Sequence, residues 1–146
     1  MSYGDDKRRK AAAYAVGGSD ERMSGCKIPV TIISGRDNQG ITASVPIAVY
    51  AEHLGIDEKL TLCSLIVSNL ITIHQKTGIE TLSAYWGAVS AGVGAGICYI
   101  HGGRFYETAH TLVNAVAILF GTICGGDKPS CTAKIDMSAV AGIMWG

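Results

Sequence analysis

The stretch TLSAYWGAVSAGVGAGICYI, residues Thr81–Ile100, decides the fold of this chain. No charged residue occurs between Glu80 and Arg104, and a small residue recurs at every fourth position, at Ala84, Ala88, Gly92 and Gly96. Small residues at this spacing share one face of a helix and let neighbouring backbones approach closely. Each helical glycine costs about 1 kcal/mol relative to alanine, so tertiary packing must offset that cost. We therefore predict a buried helix, Leu82–Ile100, at the centre of the fold.

Two further long helices are predicted beside the central one. Asp57–Lys76 has acids in its first turn and a lysine in its last, which suits the helix dipole. Its leucines and isoleucines cover more than one face, so we expect this helix to be buried on most sides. Glu107–Ile123 is mostly apolar and is interrupted by His110 and Asn114, and we expect it to pair with the central helix.

Shorter segments complete the predicted fold. Further helices are expected at three places: Asp5–Val16, Ser44–Leu54 and Cys131–Met144. Gly17-Gly18 should end the first of them. Ile28–Ile33, with the sequence IPVTII, is rich in β-branched residues and predicts one short strand or extended segment. The expected fold class is mainly α, a compact bundle of Gly/Ala-rich buried helices in one domain over residues 1–146.

Composition excludes several classes of protein. Basic and acidic residues are equal at 12 each, which argues against nucleic acid as a partner. The chain has 5 cysteines, an odd number, and Met1–Lys10 is polar rather than an apolar signal core. We expect reduced thiols and a cytoplasmic location. Thr81–Gly103 and Thr108–Gly126 are long enough to span a membrane, but they lack flanking Lys/Arg asymmetry, so we expect no membrane partner.

The segment Gly121–Lys134, GTICGGDKPSCTAK, is the strongest candidate for a functional loop. The glycines after Cys124 should end one helix, and Pro129 should open the next. Cys124 and Cys131 would then lie where one helix ends and another begins, and a helix N-terminus favours a thiolate or a bound anion. The alternative is that both cysteines are small buried hydrophobic residues.

A second polar segment, Ser34–Thr42, precedes a predicted helix. Side-chain amides and hydroxyls at a helix N-terminus can bind a carboxylate. The same residues also form ordinary turns and N-caps. Both interpretations stay open at this point.

Several motifs resemble one known family. They occur in one order along nearly the whole chain: Gly18–Pro29 (GSDERMSGCKIP), Asn38–Leu54 (NQGITASVPIAVYAEHL), Leu82–Gly92 (LSAYWGAVSAG) and Gly121–Lys134. Together they resemble the C-terminal half of the L-cysteine desulfidase family, which is related to the alpha chain of iron–sulfur L-serine dehydratase. The resemblance implies cytoplasmic helical lyases with a [4Fe–4S] cluster on three cysteines and an open iron site for substrate. Cysteine would yield pyruvate, ammonia and sulfide, and serine would yield pyruvate and ammonia.

The resemblance also implies roles for individual residues. Cys124 matches a cluster ligand, and Cys131 is a second, weaker metal-ligand candidate. The loop Asn38-Gln39-Gly40 matches a substrate-binding G-N-Q-G motif, and Thr42 is assigned to the same substrate-binding set. Lys128, in the cysteine loop, and His74, in an I-H-Q-K segment that includes Lys76, are the implied catalytic residues.

The chain also departs from the family pattern. By the resemblance, Trp86 stands where the family has a cluster cysteine, and we expect the family's N-terminal half, which carries another ligand, to be missing from this chain. We therefore expect the cluster to be absent or incomplete in this chain alone. Two functional classes follow. One is an enzyme subunit completed by a separate N-terminal chain, and the other is a truncated, non-catalytic helical module that self-associates. Either way, we expect a homo-oligomer or a complex with a missing subunit.

Overall fold

The structure, a computed structural model, describes residues 6–78, 84–124, 128 and 130–145. These residues form six α-helices and one pair of two-residue strands, which confirms the mainly α fold class. In chain order the elements are α1 Lys7–Met23, α2 Asp37–Leu54, α3 Glu58–Thr77, β1 Ala84–Tyr85, α4 Trp86–Ile100, α5 Phe105–Ile118, β2 Ile123–Cys124 and α6 Cys131–Trp145. The strands pair antiparallel, with Ala84 opposite Cys124 and Tyr85 opposite Ile123. None of the described helices is long and apolar enough to cross a membrane.

Helix α4 is the central element, as predicted from its small-residue pattern. Every residue of α4 except Tyr99 is buried, and the helix contacts α2, α3, α5 and α6. A Cβ atom at Gly92 would overlap Thr72 Oγ1 and lie 2.6 Å from the Ser68 carbonyl oxygen, and one at Gly96 would lie 3.0 Å from the Ser64 carbonyl oxygen. The glycines are thus required where the backbone of α3 crosses α4.

Helix α3 was expected to be buried on most sides, but only its polar face is buried. Its fully buried positions are polar: Ser64, Ser68, Thr72 and Lys76. Its large apolar side chains lie largely in solvent: Leu62, Ile66, Leu70 and Ile73. The reason is steric, because the glycine face of α4 leaves room for hydroxyl groups but not for leucine. The buried hydroxyls bond to carbonyl oxygens, Ser64 to Leu60 and Thr72 to Ser68 within α3, and Ser68 to Ala43 of α2, each at 2.8 Å.

Helix α5 is shorter and more peripheral than predicted. Only Thr111 and Ala115 are fully buried in it, so packing around α4 is shared with α2, α3 and α6. The Arg104 backbone N–H donates to Glu107 Oε2 at 2.9 Å, which caps the helix two residues before the predicted start. The chain then turns at Gly121, whose φ of 76° is in the left-handed region, and continues as β2 rather than as helix to residue 123.

Helices α1 and α2 are longer than predicted. Helix α1 continues through Gly17-Gly18 to Met23, because the second half packs on α2, where buried Ser19 donates to Asn38 Oδ1 at 2.7 Å. Helix α2 begins at Asp37 rather than Ser44 and includes Pro46 in its interior. Local glycine and proline signals were outweighed by tertiary contacts in both cases.

The segment Ile28–Ile33, predicted to be a short strand or an extended segment, is extended. Residues 28–32 form no strand, and Ile33 makes an isolated bridge with Arg36. Ser34 and Gly35 form the intervening turn, with φ values of 49° and 76°. This turn places Arg36 and the start of α2 beside the end of α3.

Candidate substrate and metal site

The two loop cysteines lie together. Cys124 Sγ and Cys131 Sγ are 3.1 Å apart, and both residues are buried. Cys131 is the first residue of α6, as predicted, but Cys124 lies in β2, since the preceding helix ends before the glycines. The predicted roles of Gly125, Gly126 and Pro129 concern residues outside the described part of the chain.

The surroundings of this cysteine pair are apolar. Trp86, Val89, Leu119 and Ile135 belong to the same buried cluster. Burial raises the pKa of the Cys131 thiol, and the hydrogen bond with Cys124 raises it further, whereas a hydrogen bond with the Lys128 backbone and the Lys134 charge lower it. The helix N-terminus was expected to favour a thiolate, but desolvation outweighs it, so Cys131 is a protonated thiol at neutral pH.

The donors around the cysteine pair do not fit a [4Fe–4S] cluster. Trp86 is only 1% exposed, its backbone N–H donates to the Thr122 carbonyl oxygen at 3.1 Å, and its backbone carbonyl accepts from Ser138 Oγ at 3.0 Å. Its indole Nε1 has no hydrogen-bond partner among the described residues. Indole nitrogen donates hydrogen bonds and does not ligate iron. Across the described residues, no group of three or more His, Cys, Asp or Glu side chains could hold a metal ion. Two thiols and an indole cannot replace three thiolates.

The expected substrate-binding residues are in the first turns of α2 rather than in a loop. Asn38 accepts from Ser19 and donates to Met23 Sδ at 3.6 Å, and Thr42 Oγ1 donates to the Asn38 carbonyl at 2.6 Å. Gly40 lies against the extended segment, because a Cβ atom there would overlap the Thr31 carbonyl oxygen. These three residues therefore have structural roles that account for their chemistry.

Gln39 is different from its neighbours. Its side chain is fully buried, and neither Oε1 nor Nε2 has a hydrogen-bond partner among the described residues. Buried amides are normally paired, and leaving one unpaired is unfavourable. Of the substrate-binding set, Gln39 alone carries unused hydrogen-bonding capacity.

The two expected catalytic residues are both exposed. His74 lies in the last turn of α3 on its solvent side. Lys128 is also exposed, and its carbonyl accepts from the Cys131 N–H at 2.8 Å. The structure thus brings the Lys128 backbone close to the cysteine pair, whereas the catalytic roles of both side chains stay predictions.

Lys76 is a buried cation that the sequence does not single out for a catalytic or binding role. Its side chain is 8% exposed, and Nζ donates to the Ser34 carbonyl oxygen at 3.3 Å. Burial lowers the pKa of Lys76, and the nearby Arg36 charge lowers it further. The signal was available, because Lys76 continues the four-residue spacing of Ser64, Ser68 and Thr72. His74, two residues earlier, was chosen from the same segment.

Comparison with known proteins agrees with the motif order. The profile described as serine dehydratase alpha chain matches residues 2–145. A UPF0597 protein of Desulfitobacterium hafniense is 53% identical over 145 residues, covering 98% of this chain and 34% of that protein. Corresponding proteins of Lachnoclostridium phytofermentans and Fusobacterium nucleatum are 46% and 48% identical, covering 97% and 91% of this chain and 34% and 32% of theirs. No solved structure shows a significant match. The chain therefore belongs to the serine dehydratase alpha chain family, and it spans about a third of the length of the curated relatives it matches.

Proposed function

We propose that this chain is the substrate-binding part of a cytoplasmic amino-acid lyase that acts on L-cysteine or L-serine. The reaction is a β-elimination that yields pyruvate and ammonia, together with sulfide or water. The observation that supports this proposal best is the match of residues 2–145 to the serine dehydratase alpha chain family. The buried, unpartnered Gln39 amide agrees with it, because a small polar substrate would supply the missing hydrogen bonds.

The chain acts as an incomplete unit in this proposal. The elimination needs groups that hold the substrate carboxylate, remove the Cα proton and assist the leaving group. The described residues offer a buried amide, a buried lysine and two thiols, but their donors do not fit the cluster of the family. We propose that the remaining catalytic groups come from the part of the family fold that this chain does not contain.

The outer face of α3 and α5 supplies the docking surface for that part. We define the α3–α5 face by the exposed apolar residues of the two helices: Leu62, Ile66, Leu70, Ile73, Phe105 and Val113. Between the two helices lies a groove of about 470 Å³, lined by Val67, Ile71, Leu112 and their neighbours. No charged residue occurs from Leu60 to Ile73. A helix with hydroxyls inside and leucines outside is oriented like an interior helix of a larger fold.

The occupant that we propose is the other two thirds of the family fold. The chain spans 34% of the Desulfitobacterium hafniense relative, so the rest of that protein has enough length to cover the face. A second copy of this chain is the competing occupant, and the experiment below separates the two.

The experiment is coexpression of this chain with the residues of the Desulfitobacterium hafniense relative that it does not span. We expect a one-to-one complex by size-exclusion chromatography with light scattering. After anaerobic purification the complex, but not either part, should form pyruvate from L-cysteine or L-serine. A complex that produces no pyruvate from either amino acid would contradict the proposed reaction, and a homodimer of this chain would contradict the proposed occupant.

One observation favours a second function, that of a non-catalytic helical module. Trp86 fills the place of the expected cluster cysteine and is packed in the apolar cluster around Cys124 and Cys131. A module of this kind would still dock through the α3–α5 face. It would bind the rest of the fold, but the resulting complex would form no pyruvate in the assay described above.

A further inference from the structure

The buried stripe of α3 ends in a positive charge. Ser64, Ser68, Thr72 and Lys76 follow one another at a spacing of four residues on the face that packs inward. The three hydroxyls bond to carbonyl oxygens at 2.8 Å. The Lys76 ammonium has a carbonyl contact of 3.3 Å to Ser34, which satisfies one donor and leaves its charge without a counter-ion in the described structure.

A second cation lies beside the first. Arg36 pairs with Ile33 across the turn whose Ser34 carbonyl Lys76 contacts, and its charge lowers the pKa of Lys76. It is also the N-cap residue of α2. The nearest acid along the chain, Asp37, is paired with Arg22 at 3.2 Å and accepts from the Asn38 N–H at 2.8 Å. Among the described residues, no carboxylate forms an ion pair with Lys76 or Arg36.

Gln39, whose buried side-chain amide has no partner among the described residues, is in the first turn of α2. Gln39 lies one helical turn before Ala43, whose carbonyl accepts from Ser68. Its side of α2 therefore faces α3, between the Ala43–Ser68 contact and the Ser34–Lys76 contact. The first N–H groups of α2 add partial positive charge at this end. Two cations, a helix N-terminus and a buried amide without a partner thus belong to the adjoining ends of α2 and α3, next to the exposed Ser34-Gly35 turn.

We propose that Lys76 and Arg36 are the pair that binds the substrate carboxylate. The ligand is a small amino acid or the 2-oxo acid formed from it, with its carboxylate between the two cations and a hydrogen bond from the Gln39 amide. The identity of this ligand class rests on the proposed function. The charge arrangement itself does not, because a carboxylate would neutralise two cations that the described residues leave unpaired. Lys76 acts as a positioning residue that fixes one end of the substrate.

The test is binding of pyruvate to the isolated chain, followed by NMR with labelled lysine side chains. We expect a saturable shift of the Lys76 signal and a rise in its pKa, because a bound anion favours the ammonium form. Lys76→Met and Arg36→Gln should each weaken pyruvate binding at least tenfold. The matched control is Lys59→Met, since Lys59 is an exposed lysine on the same helix. Arg36 is only partly buried, so its variant reports on binding if Lys76→Met disturbs folding.

Several results would overturn the proposal. Pyruvate binding within twofold of wild type in both variants would do so, as would the absence of any saturable shift at Lys76. Inorganic phosphate that binds as tightly as pyruvate would show a general anion site rather than a carboxylate site.

In the coexpressed complex, an unchanged KM for L-cysteine and L-serine in Lys76→Met would remove the pair from the substrate site while leaving the lyase function intact. Conversely, pyruvate binding that depends on Lys76 in a complex without turnover would retain the pair and reject the lyase function.

Discussion

Single residues determine what the cysteine pair can bind. The resemblance to the family predicted that Cys124 and Cys131 belong to one site, and the structure places their sulfur atoms 3.1 Å apart. The pairing could be predicted because both cysteines flank one short loop. The orientation of Lys76 was harder to predict, because its burial depends on the turn at Ser34-Gly35, which lies 42 residues away along the chain.

Replacing Trp86 tests the ligand set directly. In the coexpressed complex, Trp86→Cys should raise the iron content after anaerobic reconstitution above that of the wild-type complex. Trp86→Ser is the matched control, since it creates the same cavity without a thiol, and both changes should cost about 3–5 kcal/mol. Iron and acid-labile sulfide are measured per complex. Full four-iron loading of the isolated wild-type chain would show that the ligands are misassigned.

The raised pKa of Cys131 gives a pH dependence of stability. Because the folded state favours the neutral thiol, the stabilising contribution is fully present below the ordinary cysteine pKa. It is lost as the pH rises through the higher folded-state pKa, since the unfolded chain ionises first. The free energy of unfolding of the wild type, measured with urea, should therefore fall as the pH rises through this alkaline range. In Cys131→Ala it should fall less steeply with pH. Equal slopes in the two proteins would assign the pH dependence to other groups.

At the scale of elements, periodic patterns predicted where helices form, but local glycine and proline signals predicted their ends poorly. The central helix, α3 and α6 were found within a few residues of expectation. The extension of α1 through Gly17-Gly18 and the early start of α2 at Asp37 depend on contacts between these helices, such as Ser19 with Asn38. Hydrophobic content also predicted the wrong inner face for α3, because the glycines of α4 select small side chains there.

A pair of glycine substitutions tests this packing. Gly92→Ala should destabilise the fold by about 1–3 kcal/mol, because the added Cβ overlaps Thr72 Oγ1 and presses on the Ser68 carbonyl. Gly17→Ala should stabilise it by about 0.5–1 kcal/mol, since Gly17 is helical and has open space around it. Thermal and urea unfolding measure both changes. A stable Gly92→Ala protein would mean that α3 and α4 do not cross at this glycine.

At the scale of the whole molecule, many large apolar side chains of the described residues lie on the surface rather than in the core. The inward faces are filled by alanine, glycine and hydroxyl groups, while many of the largest side chains are exposed: Ile66, Leu70, Phe105, Tyr106 and Phe120. Burial of such side chains is worth about 1.5–3 kcal/mol each. Their exposure is therefore unfavourable unless another surface covers them, which agrees with a chain that spans about a third of its relatives.

A charge introduced on the α3–α5 face tests whether that surface is covered. Ile66 is 57% exposed, so Ile66→Glu should change the free energy of unfolding of the isolated chain by less than about 0.5 kcal/mol. The same substitution should weaken assembly with the rest of the family fold at least tenfold, because it places a charge in an apolar interface. Ala13→Glu, on the exposed side of α1, is the matched control and should leave assembly unchanged. Sedimentation velocity measures the complex. If Ile66→Glu assembles as well as wild type, the docking surface lies elsewhere. If the substitution instead disrupts a homodimer of this chain, the face pairs two copies of the chain.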